Sequence, residues 1–313
     1  MGSIALAAYR AARGDKATSA LAFNGMLFDF DSLRKAGIKL DPSWSDGALA
    51  VLAHWNSHSQ DARKLADVVP RLHANKKLTP VHRDAANLTA PFRPERIYCA
   101  ASNYIEHANE MGTVLAGKAE SKPYMFIKLS NTVIGPNESI LMPPETAQLD
   151  WEIELAAVIG KPGRRIPLDK ALDHVAGYSI VNDISARDLN VRGDYPFKFD
   201  WFQGKCHDTF APFGPWIVPA WSISDPQAVE MELSVNGEVM QKDSTKNMIW
   251  TLREQISYLS TIVTLQVGDV IATGTPTGVG MGRGIYLKPG DVVTASIDGI
   301  GTLTNTVVAE KRL

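Results

Sequence analysis

The chain has 313 residues, 45 % of them apolar and 21 % charged, with a formal net charge of −2. That is the profile of one or two folded domains, with no electrostatic case for binding nucleic acid or an anionic membrane. No apolar stretch reaches the length of a membrane span, and the two distant cysteines, Cys99 and Cys206, argue against a disulfide scaffold or a zinc site and fit a reducing cytoplasm.

The first ninety residues carry their own pattern. Met1-Gly2-Ser3-Ile4 lacks the basic start of a secretion signal, and Leu6 stands where a myristoylation motif needs Ser or Thr. Ile4 to Tyr9 and Ala20 to Phe28 read as short strands, the second interrupted by the turn pair Asn24-Gly25. Phe30 to Ala36 and Ala48 to Ala66 read as helices, with Leu49, Leu52, Ala53, Ala62 and Leu65 near the helical period. The proline-bearing stretch from Lys76 to Pro94 reads as a linker. These signals divide the chain into a small α/β N-terminal domain or extension over residues 1–90 and a larger domain over 91–313.

From Ile97 onward short strands dominate. Arg96 to Ala101 and Met125 to Lys128 are strands, with a short helix over Tyr104 to Met111 between them. Leu168 to His174 reads as a short helix leading into an apolar strand that ends at Asp183. Met231 to Gln241 alternates about Asn236-Gly237, a hairpin signal. Asn247 to Val263 is an amphipathic helix; Val270 to Ala272, a glycine-dense loop, and strands near Val292–Ile297 and Gly301–Val307 follow. The order implies an α+β, β-dominated fold rather than a doubly wound sheet.

Within this domain, Asp150-Trp151-Glu152-Ile153-Glu154-Leu155 is the segment richest in chemistry. On a strand, residues two apart share a face, so Glu152 and Glu154 converge while Ile153 and Leu155 pack the other way. Two carboxylates together on a buried strand are costly unless a cation joins them. With Asp183 about thirty residues on, they suit a hard divalent cation with open positions; the alternative is a solvated strand edge. His107 and Glu110, three apart on a helix, make a dyad in which the carboxylate fixes the imidazole tautomer, or else an ordinary polar helix surface. Lys205, set among aromatics and prolines, is either a stabiliser of an anion or a snorkelling surface lysine. The loop Thr273 to Gly282 lacks the order of a dinucleotide site; it offers backbone amides and hydroxyls for a small carboxylate, or is simply a turn.

Six segments in register then resemble the fumarylacetoacetate hydrolase family over roughly residues 96–308: Asn103-Tyr104-x-x-His107-x-x-Glu110; Phe126-Ile127-Lys128; Asp150-Trp151-Glu152-x-Glu154-Leu155; Asn182-Asp183-x-Ser185-Ala186-Arg187-Asp188; Lys205-x-x-Asp208-x-Phe210; and Gly268-Asp269 through Gly280. The resemblance implies a mixed β-roll catalytic domain, a homodimer, and one Mg²⁺ or Mn²⁺ (Ca²⁺ in some relatives) held by Glu152, Glu154 and Asp183. It implies that Lys205 lies near a keto-acid substrate, that Thr275 holds its carboxylate, that Arg187 and Asn190 contact it, and that His107 and Glu110 form a dyad on an ordering lid around Gly112 to Lys118. The expected reaction is metal-dependent cleavage of a C–C bond in an acylpyruvate or fumarylpyruvate-like β-diketo acid. Oxaloacetate decarboxylation, keto–enol isomerisation and a non-catalytic metal-binding role are the alternatives.

Overall fold

The computed structural model describes residues 4–10, 16–81, 88–110, 112 and 115–311. The leading Met1-Gly2-Ser3, residues 82–87 of the expected linker, Met111, and Thr113 and Val114 of the expected lid lie outside them.

The fold is a mixed, β-dominated α+β arrangement. An 11-stranded sheet runs in the order Met26–Asp29, Thr18–Phe23, Ile4–Tyr9, Ala211–Pro219, Val175–Asn182, Ile153–Ile159, Val270–Ala272, Arg96–Ala101, Tyr124–Leu129, with two short strands off this path. The N-terminal hairpin therefore continues the large sheet, joined where Leu6 faces Ile217. A five-stranded sheet, in the order Glu238–Ser244, Glu230–Val235, Val292–Ile297, Gly301–Ala309, Ile140–Met142, packs beside it.

The strand Ile153–Ile159 is buried along its whole length. Ile153, Leu155, Ala157 and Ile159 enter one apolar cluster, and Ala156 and Val158 enter another. A strand covered on both faces reads as a continuous apolar run, which is what this segment shows. Each fully buried aliphatic side chain contributes about 1.5–3 kcal/mol, and that packing is what holds Glu152 and Glu154 in place at its N-terminal end.

Several helix boundaries differ from the sequence reading. The helix expected over Ala48 to Ala66 is two, Ala48–Ala53 and Trp55–Ala74, parted at His54, whose ψ of 27° leaves the helical region. The second runs past its expected end because Val69 continues the buried spacing of His58, Ala62 and Leu65. The helix expected from Asn247 begins at Leu252; Thr245–Asn247 forms a separate 3₁₀ turn. Thr251 and Glu254 build a capping box that fixes this start, with the Glu254 side chain accepting from the Thr251 amide at 2.8 Å. The hairpin at Asn236-Gly237 forms as expected, both turn residues having positive φ (52° and 85°). Its second strand delivers Gln241 to the site.

Candidate metal centre and active site

Antiparallel pairing explains how residues thirty apart meet. Ile153 lies opposite Asn182 and Glu154 opposite Val181. The Asp183 amide donates to the Glu152 carbonyl at 2.8 Å, and the Glu152 amide donates to Asn182 Oδ1 at 2.9 Å. The carboxylates of Glu152, Glu154 and Asp183 thereby present oxygens within 4.8 Å of one another, all three residues buried.

Three buried cations surround them. Lys205 Nζ lies 2.8 Å from Glu152 Oε2 and 2.7 Å from Asp183 Oδ2. Lys128 Nζ lies 2.5 Å from Asp183 Oδ1 and donates to the Ile184 carbonyl at 2.9 Å. Arg187 donates through Nε to Asp150 Oδ2 at 2.8 Å; its Nη2 stands 2.5 Å from Glu152 Oε1 as an ion pair, off the line of a hydrogen bond. Glu154 has no cationic partner among the described residues; it accepts from the Gly274 amide at 2.9 Å.

The electrostatics follow from this asymmetry. Burial works against ionising Glu152, but the Arg187 and Lys205 charges overcome it and hold its carboxyl well below the ordinary value. Glu154 goes the other way: burial, then the Asp183 and Glu152 charges, push its carboxyl well up. Burial disfavours the charged forms of Arg187 and Lys205 as well, yet Glu152 with Asp150 for the first, and Asp183 with Glu152 for the second, raise both. Four buried carboxylates (Asp150, Glu152, Glu154, Asp183) face three buried cations (Lys128, Lys205, Arg187), so the cluster is one positive charge short. An all-oxygen donor set with an uncompensated carboxylate fits a hard divalent cation, and Glu152, Glu154 and Asp183 can bind one.

His107, on the helix Ile105–Glu110, is buried on the cavity wall. Its Nδ1 is 3.6 Å from Glu110 Oε2, longer than a hydrogen bond, and finds no hydrogen-bond partner among the described residues. Both Glu110 oxygens accept from the Gly278 amide, at 3.1 and 3.0 Å. Burial resists ionisation of Glu110, but His107, the Gly278 amide and the Thr277 hydroxyl together hold its carboxyl below the usual range.

The glycine-dense loop serves this same purpose. Its amides at Gly274, Gly278, Gly280 and Met281 are taken by the chain's own carboxylates, Glu154, Glu110 and Asp150. Gly278 has a φ of +100°, and a Cβ there would strike the Met240 carbonyl, so glycine is required. Gly282 leaves the room that the Glu110 side chain fills. Thr275 borders the cavity, and its hydroxyl accepts from Gln241 Nε2 at 2.8 Å.

Of these groups, His107, Glu152, Glu154, Arg187, Lys205 and Thr275 line one cavity of about 860 Å³, whereas Asp183 and Glu110 are not among its lining residues. Asn190 is not among the lining residues; its side chain packs against Gly204. Of the expected lid, Leu115 to Lys118 border the cavity, and Lys118 pairs with Glu254 at 2.8 Å. Two site residues lay outside the sequence reading of roles. Lys128 is the next-to-last residue of the apolar strand Tyr124–Leu129, where a fully buried charge signals a buried partner. Asp150 heads the Asp-Trp-Glu segment and ties Arg187 to the glycine loop.

Comparison with known proteins places these features in a lineage. The family description "Fumarylacetoacetate (FAA) hydrolase C-terminal" matches residues 96–308. The mitochondrial oxaloacetate tautomerase Fahd2a of Rattus norvegicus is 37% identical over 235 residues, covering 74% of this chain and 72% of that protein. Among solved structures, the fumarylacetoacetate hydrolase of Exiguobacterium antarcticum superposes with a TM-score of 0.79 at 34% identity, over 98% of this chain and 100% of that one. The fumarylpyruvate hydrolase of Pseudomonas aeruginosa, solved with Mn²⁺ and pyruvate, gives 0.62 at 36% identity, over 69% of this chain and 90% of that one. The first structure covers the N-terminal hairpin too, which the sequence motifs left outside.

Proposed function

The chain belongs to the fumarylacetoacetate hydrolase family, and from that premise we propose that it is a metal-dependent hydrolase that splits a C–C bond in an acylpyruvate, releasing pyruvate and a carboxylic acid. The observation that carries this reading is a single cavity lined both by buried charges and by the buried imidazole of His107, whose Nδ1 lies 3.6 Å from a Glu110 oxygen. Hydrolysis needs a base that activates water, and a His–Glu pair beside an anion-stabilising lysine supplies one.

A Mg²⁺ or Mn²⁺ ion on Glu152, Glu154 and Asp183 (Ca²⁺ also suits oxygen donors) would polarise the keto oxygen of the pyruvyl end. Thr275 donates its hydroxyl proton to the substrate carboxylate. Arg187 braces Glu152 and borders the same carboxylate. Glu110 holds the imidazole so that His107 Nε2 takes a proton from water, and the water oxygen bonds to the distal carbonyl carbon. Lys205 Nζ steadies the oxyanion. The bond between that carbon and the pyruvyl methylene then breaks, its electron pair leaves with the methylene, and a proton returns there to give pyruvate.

A second reading is keto–enol tautomerisation of oxaloacetate, favoured by the name and identity of the Rattus relative. The deciding experiment is a panel of acylpyruvates and oxaloacetate assayed with Mn²⁺, with Mg²⁺ and with EDTA. Metal-dependent pyruvate release from acylpyruvates supports the hydrolase; enol-to-keto conversion of oxaloacetate without acylpyruvate cleavage replaces it with the tautomerase.

Assembly and location belong to the same proposal. Ile127 and Leu129 are exposed on the edge strand of the large sheet, which suits a homodimer, to be checked by light scattering. Among the described residues no helix is long and apolar enough to cross a membrane, and Cys99 and Cys206 are unpaired. Those thiols suit a reducing compartment such as the cytoplasm.

A further inference from the structure

Two separate elements carry a lysine at the floor and aromatic rings leading outward from it. On the edge strand Tyr124–Leu129, Lys128, Phe126 and Tyr124 alternate onto one face. Lys128 is fully buried at Asp183, Phe126 is half-buried, and Tyr124 is 60% exposed, so the face climbs from the floor to the mouth. On the short helix Trp201–Lys205, Trp201 sits one turn before Lys205, on the same side. Asp200 caps this helix through the Gln203 amide at 3.0 Å and pairs with Arg192 at 3.1 Å, so the helix start is held.

The two elements interlock into one wall. Lys205 Nζ is 5.2 Å from the centre of the Phe126 ring, Phe126 and Trp201 are 4.8 Å apart between centres, and Trp201 and Tyr124 are 5.7 Å apart. Phe199, Ile249 and Trp250 also line the cavity. The wall begins at the lysine beside the metal-binding carboxylates, not at the far end of the cavity. A substrate seated on the floor would lay the first atoms of its acyl group against Phe126 and Trp201.

Resting on the hydrolase reading above, we propose that the acyl group is an aromatic ring joined directly to the distal carbonyl, so that the substrates are aroylpyruvates. Rings at 4.5–7 Å spacing attract a further planar ring more strongly than an alkyl group of equal area. The cations that a carboxylated tail would seek, Lys118 and Lys122, line the cavity but are exposed and offer it no desolvated partner. Lys118 is already paired with Glu254 and lies over the Trp250 ring, and Lys122 is exposed to solvent.

The test compares benzoylpyruvate, acetylpyruvate and fumarylpyruvate on the Mn²⁺-loaded protein, by kcat/KM and by calorimetric binding of each at a pH where turnover is slow. Benzoylpyruvate is expected to exceed acetylpyruvate about tenfold in kcat/KM and to bind more tightly than fumarylpyruvate. In Trp201→Ala the benzoyl-to-acetyl ratio should fall about tenfold, and Trp201→Phe should restore most of it; a thermal melt confirms that both variants fold. Equal kcat/KM for the benzoyl and acetyl compounds, or preference for fumarylpyruvate, overturns the aryl assignment while leaving the hydrolase intact. Cleavage of none of the three removes the hydrolase reading instead, and the binding order still decides the wall: tighter benzoylpyruvate binding that is lost in Trp201→Ala upholds it, and equal binding sinks it.

Discussion

The floor and the mouth of the cavity are built by opposite rules. At the floor, seven charged side chains from separate segments are at most 8% exposed, and the contacts between them measure 2.5–2.8 Å. At the mouth, Tyr124 and Phe199 are 60% and 61% exposed, and the Tyr124 ring meets that of Trp201. Charges taken out of water must have their partners fixed, because an unpaired buried charge costs several kcal/mol. Half-exposed rings carry no such penalty and can vary. On the proposed function, the floor would carry the chemistry and the mouth the choice of substrate.

The strongest test of that division is His107→Ala, which should lower kcat about 10²–10⁴-fold, the usual contribution of a general base. Metal affinity, measured by titration with Mn²⁺, should stay near wild type. Near-normal turnover would remove the imidazole from the reaction.

Next comes Lys128→Met, which strips Asp183 of a buried partner while nearly preserving side-chain length. Breaking one half of a buried pair costs about 3–5 kcal/mol, so the urea midpoint should drop far more than for any substitution at the mouth. A small change would mean that water or a shifted Lys205 replaces the lost ammonium.

Removing the divalent ion sharpens the charge argument. An ion bound at 100 times its Kd stabilises the folded chain by about 2.7 kcal/mol, so EDTA should lower Tm and added Mn²⁺ should restore it. The Glu154→Gln variant, which removes the uncompensated carboxylate, should be more stable than wild type in EDTA and less responsive to Mn²⁺. A wild-type Tm indifferent to metal would count against the site.

The smallest effect belongs to the mouth. Trp201→Ala removes a half-buried ring and should cost less than about 1.5 kcal/mol of stability, read from the same urea curves, even where substrate preference changes. A loss equal to that of Lys128→Met would show that the wall supports the fold as well.

Much of this arrangement was legible in the chain. The Glu152–Glu154 alternation, Asp183 at a strand end and the Asn236-Gly237 turn are local signals that form as the residues imply, whereas His107 and Glu110 share a helix but stand 3.6 Å apart, beyond hydrogen-bond reach. Thr251 to Glu254 was an equally local signal, and reading the capping box would have placed that helix start correctly. Lys128 and Asp150 were less legible, because a buried charge in an apolar segment announces that it has a partner without saying which one.

The sequence by itself determined the kinds of chemistry available: period-two carboxylates, a dyad at helical spacing, glycines where only positive φ fits, and family motifs in register. Only the tertiary structure decided how they are shared out. It gave the loop amides to the chain's own carboxylates, turned Asn190 against Gly204, bound Arg187 to Glu152, and left Glu154 with no cationic partner among the described residues. The reason is range. Periodicity and turn chemistry act over a few residues, whereas charge compensation in a buried site sums over segments as far apart as Lys128 and Asp183, and only the packed chain brings those to one point.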